Sequence, residues 1–160
     1  MQGAVTMKTF LFILAFMSAA GAAPAVRWVE DGDARLGVQL QRPAQMTKTA
    51  SPKAGEAEWV SPNGEFNISV AGGRSERVEP VDFYWKRALR ELGRSVTYKK
   101  RGNSWFVLSG VDENGEEYYY KVHVRGRNWT GLTLSYPHAK NRRYDPWVER
   151  VEDTFVPFAR

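Results

Sequence analysis

Between Glu116 and Trp129 the chain reads EEYYYKVHVRGRNW. Tyr118, Tyr120, Val122 and Val124 share one parity, and Tyr119, Lys121, His123 and Arg125 share the other. Successive strand side chains point to opposite faces, so this is a strand with one apolar face and one basic, aromatic face. The same period of two recurs in ARLGVQLQ, where Leu36, Val38 and Leu40 alternate with polar neighbours, and in NWTGLTLSYP, where Leu132, Leu134 and Tyr136 do so until Pro137 ends the run. AEWVSPNGEFNISV places Ser-Pro-Asn-Gly between two apolar runs and predicts a hairpin. SVTYKKRGNSWFVLSG turns at Arg-Gly-Asn, and VDENGEEYYYKVHV turns at Glu-Asn-Gly.

Two stretches change period. In EPVDFYWKRALRELG, Val81, Tyr84/Trp85, Ala88/Leu89 and Leu92 make one helical stripe, opened by Pro80 and closed by Gly93. That stripe predicts that Trp85 is largely buried. YDPWVERVEDTF predicts a second helix with Asp145 as N-cap and Pro146 at its first position, and Trp147, Val148, Val151 and Phe155 on its apolar face. Pro43–Glu58, rich in Pro, Ala, Thr and Lys, shows neither period and reads as a long loop. Strands outnumber helices and meet through short turns. The class is α+β: a largely antiparallel sheet of about six to seven strands flanked by two helices.

The second face of the opening strand is the candidate site. If Tyr118, Tyr120, Val122 and Val124 point inward with Phe106, Leu108, Leu132 and Leu134, the opposite face gathers Trp105, Val107, Tyr119, Lys121, His123, Arg125, Trp129 and Thr133. With Lys99 and Arg101 from the neighbouring hairpin, the candidate partner-binding residues are Tyr119, Lys121, His123, Arg125, Trp129, Lys99 and Arg101. Two plainer readings compete with recognition. An antiparallel sheet shows water a polar face, or the second helix covers this one, with Trp105 and Trp129 packed beneath it.

The ends and the charge narrow the setting. Lys8 precedes an apolar or small run from Phe10 to Ala25, the order of a secretory signal peptide, with Met7 as its more usual start. Cleavage after Ala22 or Ala25 fits the small residues there. The strongly apolar part, Phe10–Met17, is shorter than the roughly 20 residues that span a bilayer, so no membrane span is expected once the signal is removed. Residues 1–25 are thus expected to be a signal peptide and residues 26–160 a single domain, periplasmic or secreted. Residues 26–82 carry 7 basic and 9 acidic side chains, residues 83–160 carry 15 and 9. The positive half suggests an anionic neighbour. Spread over that half, the surplus does not call for nucleic acid. There is no cysteine, which excludes disulfides, thiol catalysis and thiolate metal sites.

Catalytic and metal chemistry finds little support. His123 and His138 are the only histidines, and neither has carboxylates at ligand spacing. His123 reads as an exposed strand histidine. Asp112-Glu113 with Glu116-Glu117, and Asp31 with Asp33, fall at predicted turns, where acids are solvated, and calcium there is a minor alternative without EF-hand spacing. Ser109-Gly110 lacks the preceding Gly-x of a nucleophile elbow. Gly72-Gly73 stands alone and makes no phosphate loop. No catalytic residue, metal or cofactor is expected.

The ordered run EWVSPNGEFNISVAGG, VTYKK, SWFVLSG, YYYKV, LSYP and YDPWVERVEDTF resembles the PsbP-like family, over about Trp28 to Phe155. That fold is shared by the extrinsic photosystem II subunit and a Ran-binding nuclear import factor. More closely, the chain resembles small exported bacterial members, a signal peptide followed by one domain. The resemblance implies an antiparallel sheet flanked by helices that acts as a binding or assembly module rather than an enzyme, and it carries over no catalytic residue. The expectation is therefore an exported, non-enzymatic accessory protein of the bacterial envelope, whose partner is an unknown protein or an anionic envelope component. The competing class is an envelope-polymer hydrolase or an inhibitor of one. The sequons Asn67-Ile68-Ser69 and Asn128-Trp129-Thr130 matter only in a eukaryotic secretory pathway, against which the bacterial resemblance argues.

Overall fold

The computed structural model describes residues 25–50 and 53–159. The expected signal peptide falls on residues 1–25, and all of it but Ala25 lies outside the described residues.

β1 (Trp28–Asp33) and β2 (Val38–Pro43) form an antiparallel hairpin with Asp31 opposite Leu40. The remaining strands are β3 (Thr47–Thr49), β4 (Glu56–Val60), β5 (Asn67–Arg74), β6 (Val96–Arg101), β7 (Trp105–Val111), β8 (Glu116–Arg125) and β9 (Asn128–Pro137). They build one sheet in the order β3-β4-β5-β9-β8-β7-β6. Every neighbouring pair is antiparallel. The fold is α+β, as the strand count and short turns predict.

Local chemistry fixes each connection. Between β4 and β5 the backbone of Ser61 pairs with Phe66, while the Ser61 hydroxyl accepts the Phe66 N–H at 2.9 Å. Gly64 supplies the left-handed residue that this turn requires, at φ 71. α1 (Val81–Leu92) starts after an extended Pro80 and stops where Gly93 turns to φ 56. It lies on one sheet face, with Ala88 buried against Phe106, Leu108 and Val122. Trp85 packs edge-on to Phe106, with ring centroids 5.5 Å apart, but is only half-buried, because its other side faces the solvent edge at Arg101. The expectation of a largely buried Trp85 was too strong.

α2 (Asn141–Thr154) begins four residues before the predicted Asp145 cap, continuing a 3-10 turn at His138–Lys140. Tyr144 anchors that early turn. It is fully buried, stacks on Phe66 at 5.3 Å, and donates its hydroxyl to Glu65 at 2.8 Å. Pro146 sits inside the helix. The bond it cannot make would run to the Arg142 carbonyl, and both residues are on the exposed side, where water replaces it. Asp145 instead accepts the Tyr136 hydroxyl at 3.0 Å. The predicted Pro43–Glu58 loop also needs correction. It holds β3 and the start of β4, and Thr-Lys-Thr in β3 is too short and polar to show a period. Trp147, Val151 and Phe155 are buried as the helical face predicts, in a core with Trp59, Phe66, Ile68, Val70, Leu132 and Leu134. This larger core fills the face opposite α1, closed by α2, β2 and the C-terminal end.

Candidate functional site

Register divides the candidate face. Arg125 pairs with Asn128 across a tight turn, so Lys121 lies opposite Leu132, Tyr119 opposite Leu134, and Val124 opposite Trp129. Leu132 and Leu134 therefore share the face of Tyr119 and Lys121, while Trp129 and Thr133 sit on the α1 face with Tyr120. Lys99 and Arg101 pair with Leu108 and Phe106 and also fall on the α1 face. The seven candidate residues do not form one surface. Tyr119, Lys121, His123 and Arg125 stay together, and Trp129, Lys99 and Arg101 leave them. The assumed register was wrong by one position.

Of the four that stay together, Tyr119, Lys121 and His123 are half-buried and Arg125 is exposed. Lys121 forms an ion pair with Glu152 of α2 and lies 5.6 Å from the Trp105 ring centre. Burial, reinforced by the negative charge of Glu152, pushes the Tyr119 hydroxyl far above its ordinary range. His123 tilts against Phe155 at 6.1 Å, and burial, with Lys121 nearby, pushes it down to about 4. It is a half-buried, neutral packing group rather than an exposed histidine. The Arg125 guanidinium lies over the Phe158 ring at 4.5 Å. Trp129 instead packs against Tyr84 of α1 at 6.1 Å.

The carboxylates at Asp31 and Asp33 are not solvated turn acids. Both lie in β1, and Asp33 is buried between Arg35 at 2.8 Å and Lys48 at 3.0 Å. The Arg35 hydrogen bond, with Lys48, holds Asp33 far below the carboxylate range against the cost of burial. Burial alone would raise Asp31. Hydrogen bonds from Arg42, the Gly32 N–H and the Trp59 indole outweigh it and lower that group too. The pair fastens the β1–β2 hairpin to the sheet. Asp112 is spent within its own turn, where the N–H groups of Glu116 and Asn114 lower it. Among the described residues, no group of three or more His, Asp or Glu side chains is placed to hold a metal ion.

What remains open is the outer side of α1 and the adjoining edge strand β6. Residues 86–101 carry Lys86, Arg87, Arg90, Arg94, Lys99, Lys100 and Arg101 against Glu91 alone, while the rest of residues 83–160 holds 8 basic and 8 acidic side chains. The basic surplus of that half is thus confined to sixteen residues. Lys86 and Arg101 share Asp82, and Arg87 pairs with Glu91. Arg90, Arg94 and Lys99 have no ion pair among the described residues and are exposed. Tyr98, opposite Ser109, projects from the other side of β6 and is 51% exposed. Averaging charge over half the chain hid this cluster; a sixteen-residue window shows it.

Two clefts complete the surface. One of about 950 Å³ lies between the end of α1 and the sheet, floored by Tyr118, Tyr120 and Thr133. Within it the Tyr118 and Ser95 hydroxyls lie 2.9 Å apart, and Glu91 at its rim pairs with Arg87. The other, about 670 Å³, runs along the β1–β2 hairpin beside Asp153 and Val156. Among the described residues no helix is long and apolar enough to cross a membrane.

No protein-family model matches the chain, and no curated protein matches it by sequence. Solved structures do. The cyanobacterial PsbP (CyanoP) of Synechocystis sp. PCC 6803 superposes with a TM-score of 0.61 at 11% identity, over 88% of this chain and 98% of that one. A protein of Bacteroides thetaiotaomicron VPI-5482 superposes with a TM-score of 0.52 at 13% identity, over 76% of this chain and 45% of its own, so the likeness takes in less than half of that protein. The arrangement of seven antiparallel strands, hairpin and two helices is a PsbP-like fold.

Proposed function

We propose that the chain is an exported, non-enzymatic accessory protein of the bacterial envelope, a single domain that holds an anionic partner on the α1–β6 surface. One observation carries the binding claim. Arg90, Arg94 and Lys99 are exposed there and have no ion pair among the described residues, whereas Lys121 and Arg125 are engaged by α2 and the C-terminal end. At physiological ionic strength screening acts over about 8 Å, so an anionic partner has to lie against this surface to be held by its charge. The likeness to PsbP, and the signal-like N-terminal sequence, support the accessory role and export.

The test is affinity capture from native envelope extracts, read by mass spectrometry, with the natural chain and an Arg90→Glu/Arg94→Glu/Lys99→Glu variant. The natural chain retains a partner at low salt and releases it at high salt, and the variant retains none. Capture of the same partner by the variant contradicts the assignment. Intact mass from the native periplasm tests export: the chain begins at Ala23 or Val26, and retention of Phe10–Ala22 contradicts it.

A further inference from the structure

Among the described residues β6 has one neighbour, β7, and every residue from Thr97 to Arg101 is exposed. At the hairpin end the Gly102 N–H donates to the Trp105 carbonyl at 2.8 Å. Bonded and non-bonded pairs alternate along an antiparallel ladder, so Lys100 opposite Val107 is bonded inward, and the N–H and C=O groups of Lys99 and Arg101 point away from the sheet. Such an edge is a template for another strand. A bulge between Val96 and Tyr98 ends the regular edge, leaving Tyr98–Arg101 for pairing.

We propose that β6 accepts an extended acidic segment of a partner protein as an added strand. This rests on the anionic-partner reading above and specifies the form in which the anion arrives. Three observations select that occupant. First, the outward peptide groups of Lys99 and Arg101 are free to continue the ladder. Second, the cations fall on both sides of the sheet: Lys99 and Arg101 opposite Leu108 and Phe106 on the α1 side, Lys100 opposite Val107 on the other. A flat lipid surface meets one side only, whereas an extended chain sends alternate side chains to each and meets all three. Third, a second copy of β6 would bring Lys99, Lys100 and Arg101 against their own kind. Edge cations ordinarily repel stray strands, and an acidic segment is the class for which that repulsion becomes attraction. Tyr98 adds an exposed ring beside them.

The experiment uses the full chain and a peptide of about ten residues built from Glu-Glu-Val repeats, which puts carboxylates on both faces of a strand and is long enough at ~3.4 Å per residue to cover the edge. The comparison peptide is N-methylated at two adjacent central residues, which removes donors from both edges of a peptide strand. Calorimetric titration is expected to show binding of the first peptide and a loss of about tenfold or more with the second, a change of ~1.4 kcal/mol. Lys99→Pro, which deletes an outward N–H, weakens binding well beyond Lys99→Gln, which deletes only the charge. If Lys99→Pro does not fold, the methylated peptide on the natural chain still decides. Equal binding of both peptides overturns the strand, and if heparin then binds and is lost with Arg90→Glu/Arg94→Glu/Lys99→Glu, the anionic surface stands alone. Binding of neither peptide nor heparin overturns both. Binding to phosphatidylglycerol vesicles without binding to the peptide overturns the strand in favour of a lipid surface.

Discussion

On the α2 side of the sheet Trp59, Phe66, Ile68, Val70, Leu132, Leu134 and Val151 are wholly enclosed. On the α1 side the packed cluster shrinks to Phe106, Leu108, Val122 and Ala88, with Tyr118 buried nearby and Trp85, Tyr84 and Leu89 half-covered at its margin. Lys121, Asp31 and Asp33 on the closed side have each found a partner in the fold; on the open side Lys86, Arg87 and Arg101 are paired, while Arg90, Arg94 and Lys99 have no ion pair among the described residues. A cation in the interior of a sheet face is costly to leave unpaired, so the fold consumes it. A cation on an edge keeps its water and needs no partner in the fold. The larger core lies on one face, and the recognition proposed above belongs to the other.

That contrast is broken most directly by emptying each side in turn. Phe66 stacks on Tyr136 and Tyr144 and meets Trp147 edge-on. Phe66→Ala is expected to cost about 4 kcal/mol in urea unfolding, whereas half-buried Trp85→Ala costs ~2. Equal losses would erase the distinction. Charge reversal comes next. Lys121→Glu sets two carboxylates together in a partly enclosed site against Glu152 and is expected to cost about 2 kcal/mol. Lys99→Glu, on the exposed edge, changes stability by less than ~0.5. If Lys121→Glu is equally silent, α2 does not cover that strand as described.

Acid sharpens the same comparison. His123 is pushed down to about 4 from 6.5. Between those values the unfolded chain binds more protons, so stability is full above the unfolded value and falls as pH drops from 6.5 towards 4. His123→Phe flattens that limb of the pH profile. Asp31 and Asp33 are both lowered from 3.8, so their contribution is present above about pH 5 and disappears as acid protonates them below 3.8. Asp33→Asn reduces the slope there without touching the His123 limb. A natural chain with a flat profile from pH 7 to 3 would contradict both assignments.

The sequence made much of the scaffold legible, and the limits have physical causes. Period two marked β2, β8 and β9, turn residues marked the hairpins that hold β4–β5 and β6–β7, and period 3.6 marked α1, because each element buries one face. Alternation gives parity within a strand but not which parity of its neighbour matches, and the hairpin at Gly126–Arg127 had to set that. Trp129 and Leu132 therefore exchanged faces relative to expectation. Pro146 looked like a helix start because proline suits that position, but buried Tyr144 draws the helix back to Asn141. β3 has no pattern to read. Asp31 and Asp33 looked like turn acids because their partners Arg42 and Lys48 lie 11 and 15 residues away. The basic cluster at residues 86–101 was in plain sight but was diluted over half the chain.

The smallest expected effect on stability accompanies the most informative readout. Titrating polyglutamate into the isotopically labelled chain and following its backbone amides by NMR reports which side meets an anion. Shifts are expected to concentrate at Arg90, Arg94 and Tyr98–Arg101 and to vanish with salt, leaving Tyr119, Lys121, His123 and Arg125 unmoved. Shifts centred on Lys121, His123 and Arg125, with β6 silent, would contradict this.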